Sequence, residues 1–170
     1  MSEKPQKIQI QIKYKDISQG FSAEPQEAWL LLKQFFQEFI PSFEIAQKLW
    51  LGIDLNQLAK DLDGLVAFSG DGASLMAPKN KLTDNEALSI WLTAQHLGHE
   101  LSLLGGDALS KEELQTKLGK SGKIVSTRLG ELVKNGWVGK TADDKFRITA
   151  FGILQTQKEV VPKIRAKTKV

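Results

Sequence analysis

The segment between Ser110 and Thr149 carries helix caps and helix stops at such short intervals that few folds can accommodate it. Ser110 opens a capping box, S-K-E-E, and Ser121 can cap a second helix. A glycine ends that helix, and two runs of strand-forming residues follow at 137–140 and 145–148 before Thr149 caps a last helix. The segment therefore predicts two helices joined by a tight turn, then a hairpin and a further helix.

The second of these helices has two opposite faces. At about 100° per residue, Val125, Leu129 and Leu132 fall within one narrow arc and should face the core. The opposite arc carries cations, a hydroxyl and a glycine, namely Lys123, Thr127, Gly130 and Lys134. This exposed face has no acidic residue apart from Glu131 at its edge, which favours a negatively charged partner.

The stretch KSGKIVSTRLGELVKNGWV, followed by KFRIT, resembles the winged helix-turn-helix regulators of archaea and bacteria. Those proteins typically show S-x-x-T-V-S-R-x-L-x-x-L-x-x-x-G-L-V and a wing that ends in Y-R-[IL]-T. The residues in register with this pattern are Val125, Ser126, Leu129, Leu132, Gly136, Val138, Phe146, Arg147 and Thr149. Ile124 stands where Thr is common, and Trp137 where Leu is common. The resemblance covers about residues 84–161 and implies a module that binds double-stranded DNA.

In such a module the second helix enters the major groove with its N-terminal half, so the resemblance places Lys123 and Thr127 at the bases. Lys120 and Ser121 at the helix start can hold a phosphate together with free backbone N–H groups. Wing cations could reach the flanking backbone. The predicted DNA-contacting residues are Lys120, Ser121, Lys123, Ser126, Thr127, Arg128, Lys134, Lys140, Lys145 and Arg147.

The distribution of charge fits a DNA-binding C-terminal half. Residues 1–105 hold nine Lys and Arg against 13 Asp and Glu, whereas residues 106–170 hold 14 against seven. A basic half suits a polyanionic partner, although a solvated helix face would also explain part of the excess. The sequence therefore predicts a DNA-binding transcriptional regulator. The alternatives are a winged-helix protein adaptor and a chromatin or architectural protein that binds DNA without reading its sequence.

The rest of the chain predicts an α+β N-terminal domain, residues 1–80, that dimerises, senses a ligand or contacts a partner. It comprises a hairpin over 8–21 with a bulge near Gln19-Gly20, three helices, and a second hairpin around Gly70-Asp71-Gly72. The helices are one capped by Ser22, with Trp29, Leu32 and Phe36 on its apolar face, one over 43–51, and one over 55–62 capped by Asp54. A linker at 78–81, the winged helix-turn-helix over 81–161 and a frayed basic tail, 162–170, complete the chain.

A capping box at Thr83 and Glu86 announces a long helix that ends near Leu104, stopped by Gly105-Gly106. This helix is apolar on most of its circumference and must be covered on more than one side. The N-terminal domain, the winged helix or a second copy of the chain could cover it. Together with the aromatic residues of 28–43, the helix predicts a homodimer.

Several classes of function lack support in the residues. The chain has no cysteine, which excludes disulfides and thiolate metal sites, and no apolar run approaches the roughly 20 residues needed to span a bilayer. His96 and His99 lack further ligands for a metal. We expect a cytoplasmic protein with no catalytic activity and no cofactor. Trp29, Trp50 and Trp91 could line a ligand pocket, but packing explains them more simply, so a small-molecule effector is unsupported.

Overall fold

A computed structural model describes residues 7–39, 52–70 and 72–168, and the chain divides into two compact units, Met1–Trp50 and Leu51–Val170. The fold is of the mixed α+β class, as expected, and its described strands form small antiparallel hairpins. The helix expected over 43–51 lies outside the described residues. No helix in the described part of the chain has the length and apolar character needed to cross a membrane.

The first unit contains the hairpin predicted near the N-terminus, formed by β1 (Ile8–Tyr14) and β2 (Ile17–Ala23). Its turn lies at Lys15, whose φ of 52° is left-handed. The register runs without interruption along both strands, so the bulge expected at Gln19-Gly20 is absent. The alternation of half-buried and exposed residues along β1 agrees with the period-two pattern of its isoleucines.

Helix α1 (Pro25–Phe39) packs on this hairpin. The cap expected at Ser22 is wrong, because strand pairing continues through Ala23 and the helix begins only at Pro25. The helix buries Ala28 and Phe35. Trp29 is 65% exposed, so the predicted apolar face is wrong at this position, whereas its other members, Leu32 and Phe36, are half-buried.

The second unit is organised around one central helix. Its elements are α2 (Leu55–Leu62), β3 (Val66–Ser69), β4 (Gly72–Leu75), a 3-10 turn (Lys79–Lys81), α3 (Asp84–Glu100), α4 (Lys111–Leu118), α5 (Gly122–Lys134), β5 (Val138–Lys140), β6 (Phe146–Ile148), α6 (Ala150–Gln155), a π-helical segment (Thr156–Val160) and α7 (Val161–Thr168). The predicted caps are confirmed, since each accepts a backbone N–H two or three residues later: Asp54, Thr83, Ser110, Ser121 and Thr149.

Helix α3 is the core of this unit. Leu88, Ile90, Leu92 and Ala94 are fully buried, although they point in different directions around the helix. Helices α2, α4, α5 and α6, strands β4 and β6 and the π-helical segment all contact it. The apolar circumference of α3 is therefore covered by the same chain.

The boundary between the units differs from the one expected near residue 80. Helix α2 and the β3–β4 hairpin contribute Leu58, Leu65 and Ala73 to the core that includes α3. These elements therefore belong to the second unit, which begins at Leu51. The segment expected as a linker, 78–81, carries the 3-10 turn.

The end of α3 and the C-terminal segment of the chain also differ from the sequence prediction. Helix α3 ends at Glu100, because the N–H groups of Leu103 and Leu104 turn back to the Gly98 carbonyl. The C-terminal residues, expected as a frayed tail, form α7 as far as Thr168. Ile164 is fully buried in the core, which explains why this basic segment is ordered as a helix.

Candidate nucleic-acid interface

The start of α5 is fixed by a three-residue turn after α4. Gly119 ends α4 in the left-handed conformation, with φ of 68°, which glycine adopts without strain. Ser121 then caps α5, and its Oγ accepts the N–H of Ile124 at 3.4 Å. Lys120 lies exposed between these two residues. The first-turn N–H groups that the cap leaves unpaired sit beside Lys120, which suits an anion.

The two faces of α5 are those that the sequence predicts. Val125, Leu129 and Leu132 are buried. The opposite, polar face exposes Lys123, Ser126, Thr127, Gly130 and Lys134. The Thr127 hydroxyl donates to the Lys123 carbonyl at 3.0 Å. Its oxygen can therefore still accept a hydrogen bond from a bound partner.

Apolar side chains flank this polar face, which the sequence analysis did not single out. Ile124 is 39% exposed and Val133 is 40% exposed. Ile124 and Thr127 line a shallow cleft of about 190 Å³ together with Lys123 and Arg128. An exposed aliphatic group beside a hydroxyl can contact the methyl group of thymine, or an apolar residue of a protein.

Arg128, which was predicted to contact DNA, is held by neighbouring acids. Its Nη1 donates to Glu131 at 2.9 Å, and its Nε lies 3.9 Å from a carboxylate oxygen of Asp84 at the start of α3. Asn85 donates to the other oxygen of Glu131 at 2.9 Å. The Asn85 hydrogen bond, followed by the charge of Arg128, lowers the pKa of Glu131. These contacts tie α5 to α3 and offset the positive charge of Arg128.

The three predicted cations of the β5–β6 hairpin also have acidic partners. Lys140 lies 2.7 Å from Asp144, Lys145 lies 3.7 Å from Asp143, and Arg147 lies 3.7 Å from Asp107. A hydrogen bond from Thr141, the backbone and Lys145 together lower the pKa of Asp143. The hairpin is therefore close to neutral. Asp143 and Asp144 are close to the hairpin lysines in the sequence. The proximity of Asp107 to Arg147 could not be predicted from the sequence.

Among the cations predicted to contact DNA, those without an acidic partner therefore lie on the turn and on α5. Lys120, Lys123 and Lys134 have no carboxylate within 4.0 Å in the described part of the chain. These lysines lie before the helix, in its first turn and in its last turn, so they provide positive charge along one exposed edge. Of the predicted set, they and the polar groups Ser121, Ser126 and Thr127 remain accessible without breaking an ion pair.

The hairpin is joined to the start of α4 by a contact that the sequence did not reveal. Leu109 forms an isolated antiparallel bridge with Phe146, with hydrogen bonds of 2.9 and 2.8 Å in the two directions. This bridge adds a third short extended segment beside β6. It fixes the hairpin relative to α4 and hence to the helix pair that carries the exposed lysines.

The histidine pair does not lie in a cluster of metal ligands. His99 is exposed, and its Nδ1 is 3.4 Å from the Leu104 carbonyl. Within residues 7–39, 52–70 and 72–168, no group of three or more His, Cys, Asp and Glu side chains is arranged to hold a metal ion.

Comparisons of the chain with protein-family models, with curated proteins and with solved structures found no match. Any functional assignment therefore rests on the residues of this chain.

Proposed function

We propose that residues 84–168 form a winged helix-turn-helix that binds duplex DNA, and that the protein is a transcriptional regulator. The observation that carries this proposal is the exposed face of α5. It combines Lys123, Thr127, Gly130 and Lys134 with no free acid, and Lys120 precedes it. A helix that enters the major groove needs such a face, because phosphates line both sides of the groove and base edges form its floor.

The order of the elements supports the same assignment. Helices α4 and α5, the β5–β6 hairpin and α6 follow one another as they do in the winged helices that the sequence resembles. The bridge at Leu109 gives the hairpin a third short segment, which fits a wing held against its helix pair.

In the proposed mechanism, some residues anchor the DNA phosphates and others contact the base edges. Lys120 and the free first-turn N–H groups of α5 hold a phosphate, and Lys134 holds a second one near the other end of the helix. Lys123 and Thr127 meet base edges, where a lysine prefers guanine and the Thr127 hydroxyl, which donates its proton to the Lys123 carbonyl, accepts a hydrogen bond from a base. The hairpin cations are weaker anchors, because Lys140, Lys145 and Arg147 would have to leave or share their carboxylate partners.

A second candidate is a protein adaptor whose α5 docks on a larger assembly. The exposed Ile124 and Val133 favour it, since two aliphatic side chains flanking the face suit a protein partner better than phosphates. This reading leaves the absence of free acids on the α5 face unexplained, so we rank it second.

The test is binding of the full chain to a mixed-sequence duplex, measured by fluorescence anisotropy at about 50 and 200 mM salt. We expect binding that weakens steeply with salt. Lys123→Ala should weaken it further and reduce the salt slope by about one unit, because a cation near the groove floor also interacts with the phosphates. Lys60→Ala is the matched control, because Lys60 is an exposed helical cation on α2, and it should bind like the unmodified chain.

Absence of salt-dependent binding to any duplex would overturn the proposal and favour the adaptor. Equal losses for Lys123→Ala and Lys60→Ala would show that the chain binds DNA through overall charge rather than through α5. A loss for Lys123→Ala that is the same on every sequence would favour the architectural alternative over a regulator.

A further inference from the structure

A groove of about 320 Å³ lies between the 3-10 turn, the beginning of α3 and the end of α4, within the second unit. This volume is at the lower end of the range for pockets that bind small organic molecules. Part of its lining is apolar and includes Leu75, Trp91 and Leu118. Trp91 was considered as a pocket residue from the sequence, but the rest of the lining could not be foreseen, because these residues come from segments up to 45 positions apart.

The charged residues that line the groove are Lys79, Lys117, Lys120 and Asp84, so cations outnumber the single carboxylate. Asp84 lies 3.9 Å from Arg128, which offsets part of its negative charge. The groove therefore favours an anion.

Two of these lysines are held in place and still have donors to offer. The Lys117 ammonium lies 4.4 Å from the centre of the Trp91 ring and donates to the Ala73 carbonyl at 3.2 Å. The Lys79 ammonium donates to the Lys117 carbonyl at 2.9 Å. Since an ammonium carries three N–H donors, each retains at least one for a ligand. Lysines fixed before binding lose less side-chain entropy when they bind an anion.

We infer that this groove binds a small carboxylate with an aromatic or branched apolar body. The carboxylate accepts hydrogen bonds from Lys79 and Lys120, and the apolar body contacts Trp91 and Leu118. Lys120 is also the cation at the start of α5. A carboxylate bound in the groove therefore removes Lys120 from a DNA phosphate and lowers DNA affinity, a second step that rests on the proposed function.

The groove is tested first without DNA, using benzoate as the probe and the ¹⁵N-labelled full chain. Amide shifts should move at 79–83 and 117–120 and remain unchanged in the β5–β6 hairpin. Lys79→Gln should lower benzoate affinity about tenfold, since it removes one charge-assisted hydrogen bond. Lys134→Gln removes a cation that does not line the groove and should leave benzoate affinity unchanged.

Failure of benzoate to shift these amides at about 10 mM overturns the inference. Equal binding of benzamide, which has the same shape without the charge, also overturns it. If inorganic phosphate binds as well as benzoate, the groove is a phosphate site and the assigned ligand class is wrong.

The second step is tested by anisotropy, with benzoate added to the protein–DNA complex. Benzoate should weaken DNA binding by the unmodified chain and have about a tenfold smaller effect on Lys79→Gln, which keeps Lys120. Benzoate binding without any change in DNA affinity overturns the regulatory step alone. If the chain binds benzoate but no duplex, the proposed function fails while the groove assignment stands.

Discussion

Arg128 illustrates how neighbouring side chains decide whether a cation is available to a partner. Its contacts with Glu131 and Asp84 are made by a side chain that is 41% exposed, where an ion pair contributes little to stability. We predict that Arg128→Ala changes the free energy of unfolding by less than about 1 kcal/mol and DNA affinity by less than about twofold. Urea unfolding and anisotropy measure the two effects. A loss of affinity equal to that of Lys123→Ala would show that Arg128 leaves its carboxylates when DNA binds.

Glu86 connects the start of α3 to α7. Burial alone would raise the pKa of this carboxyl, but the Thr83 N–H and the Lys167 ammonium, 2.9 Å away, lower it below its ordinary value of 4.5. A lowered pKa means that the ionised carboxylate stabilises the fold above pH 4.5. That contribution is lost as the pH falls below 4.5 through the folded-state pKa.

We therefore predict that Glu86→Gln costs about 1 kcal/mol at neutral pH. The difference from the unmodified chain should shrink as the pH falls below 4.5, because protonated Glu86 resembles glutamine. Urea unfolding across this pH range measures it. Glu113→Gln is the matched control, since Glu113 makes the same capping contact at Ser110 without a lysine partner. A difference that stays constant with pH would contradict the assigned stabilisation.

At the scale of the element, the helix starts with side-chain caps in the second unit were predictable, whereas the end of α3 was not. Thr83 and Ser110 each bond to a backbone N–H three residues later, so the cap and its partner lie within one short stretch of sequence. The end of α3 depends instead on Leu104, which packs close to Gly98 and is half-buried against the core. That packing also involves Phe68 of β3, which no local pattern can reveal.

Substitution of Gly130 on α5 should change the stability of the fold and the affinity for DNA in opposite directions. Beyond the backbone of its own helix and its two chain neighbours, a methyl group at this position would have no heavy atom within 4 Å, and alanine favours a helix over glycine by up to about 1 kcal/mol. Gly130→Ala should therefore stabilise the fold and, if α5 lies in the major groove, lower DNA affinity by obstructing close approach. Gly152→Ala is the contrasting variant, because its Cβ would meet the Trp137 backbone and cost about 3 kcal/mol. Urea unfolding and anisotropy test both, and a more stable Gly130→Ala chain with unchanged DNA affinity would contradict the proposed docking face.

Helix α7 provides a stability test of a segment whose sequence is dominated by charge. Ile164 is fully buried, so we predict that Ile164→Ala destabilises the fold by about 2–4 kcal/mol through lost contacts and a cavity. Lys163→Ala on the same helix removes an exposed side chain 3.9 Å from Glu159 and should change stability by less than about 0.5 kcal/mol. Equal unfolding midpoints for Ile164→Ala and the unmodified chain would show that α7 is detached in solution.

At the scale of the whole molecule, the candidate site was more predictable than the division into units. The faces of α5 follow from helical periodicity, which Val125 and Lys123 display within three positions. The boundary follows from the core that Leu58 and Leu65 share with α3, a helix that begins at Asp84, at least 19 residues later, so it depends on tertiary packing. The compensation of Arg147 by Asp107 has the same non-local origin.

The burial of α3 within one chain also changes the argument for a homodimer. Leu88 and Ile90 no longer require a second copy to cover them. The remaining support lies in the first unit, where Trp29 is 65% exposed and Leu30 is 64% exposed on α1. We therefore propose that any dimer contact is made by the first unit.

Two fragments test this organisation. The fragment Leu51–Val170 keeps the whole core around α3, so we predict cooperative unfolding, DNA affinity within about threefold of the full chain at equal salt, and a monomer by light scattering. The fragment 81–170 lacks Leu58, Leu65 and the β3–β4 hairpin, which exposes one side of α3, and it should not unfold cooperatively. A cooperative, DNA-binding 81–170 fragment would place the boundary near residue 80 after all. A dimeric Leu51–Val170 fragment would place the dimer contact outside the first unit, and a full chain that scatters as one 18.9 kDa copy would remove the dimer altogether.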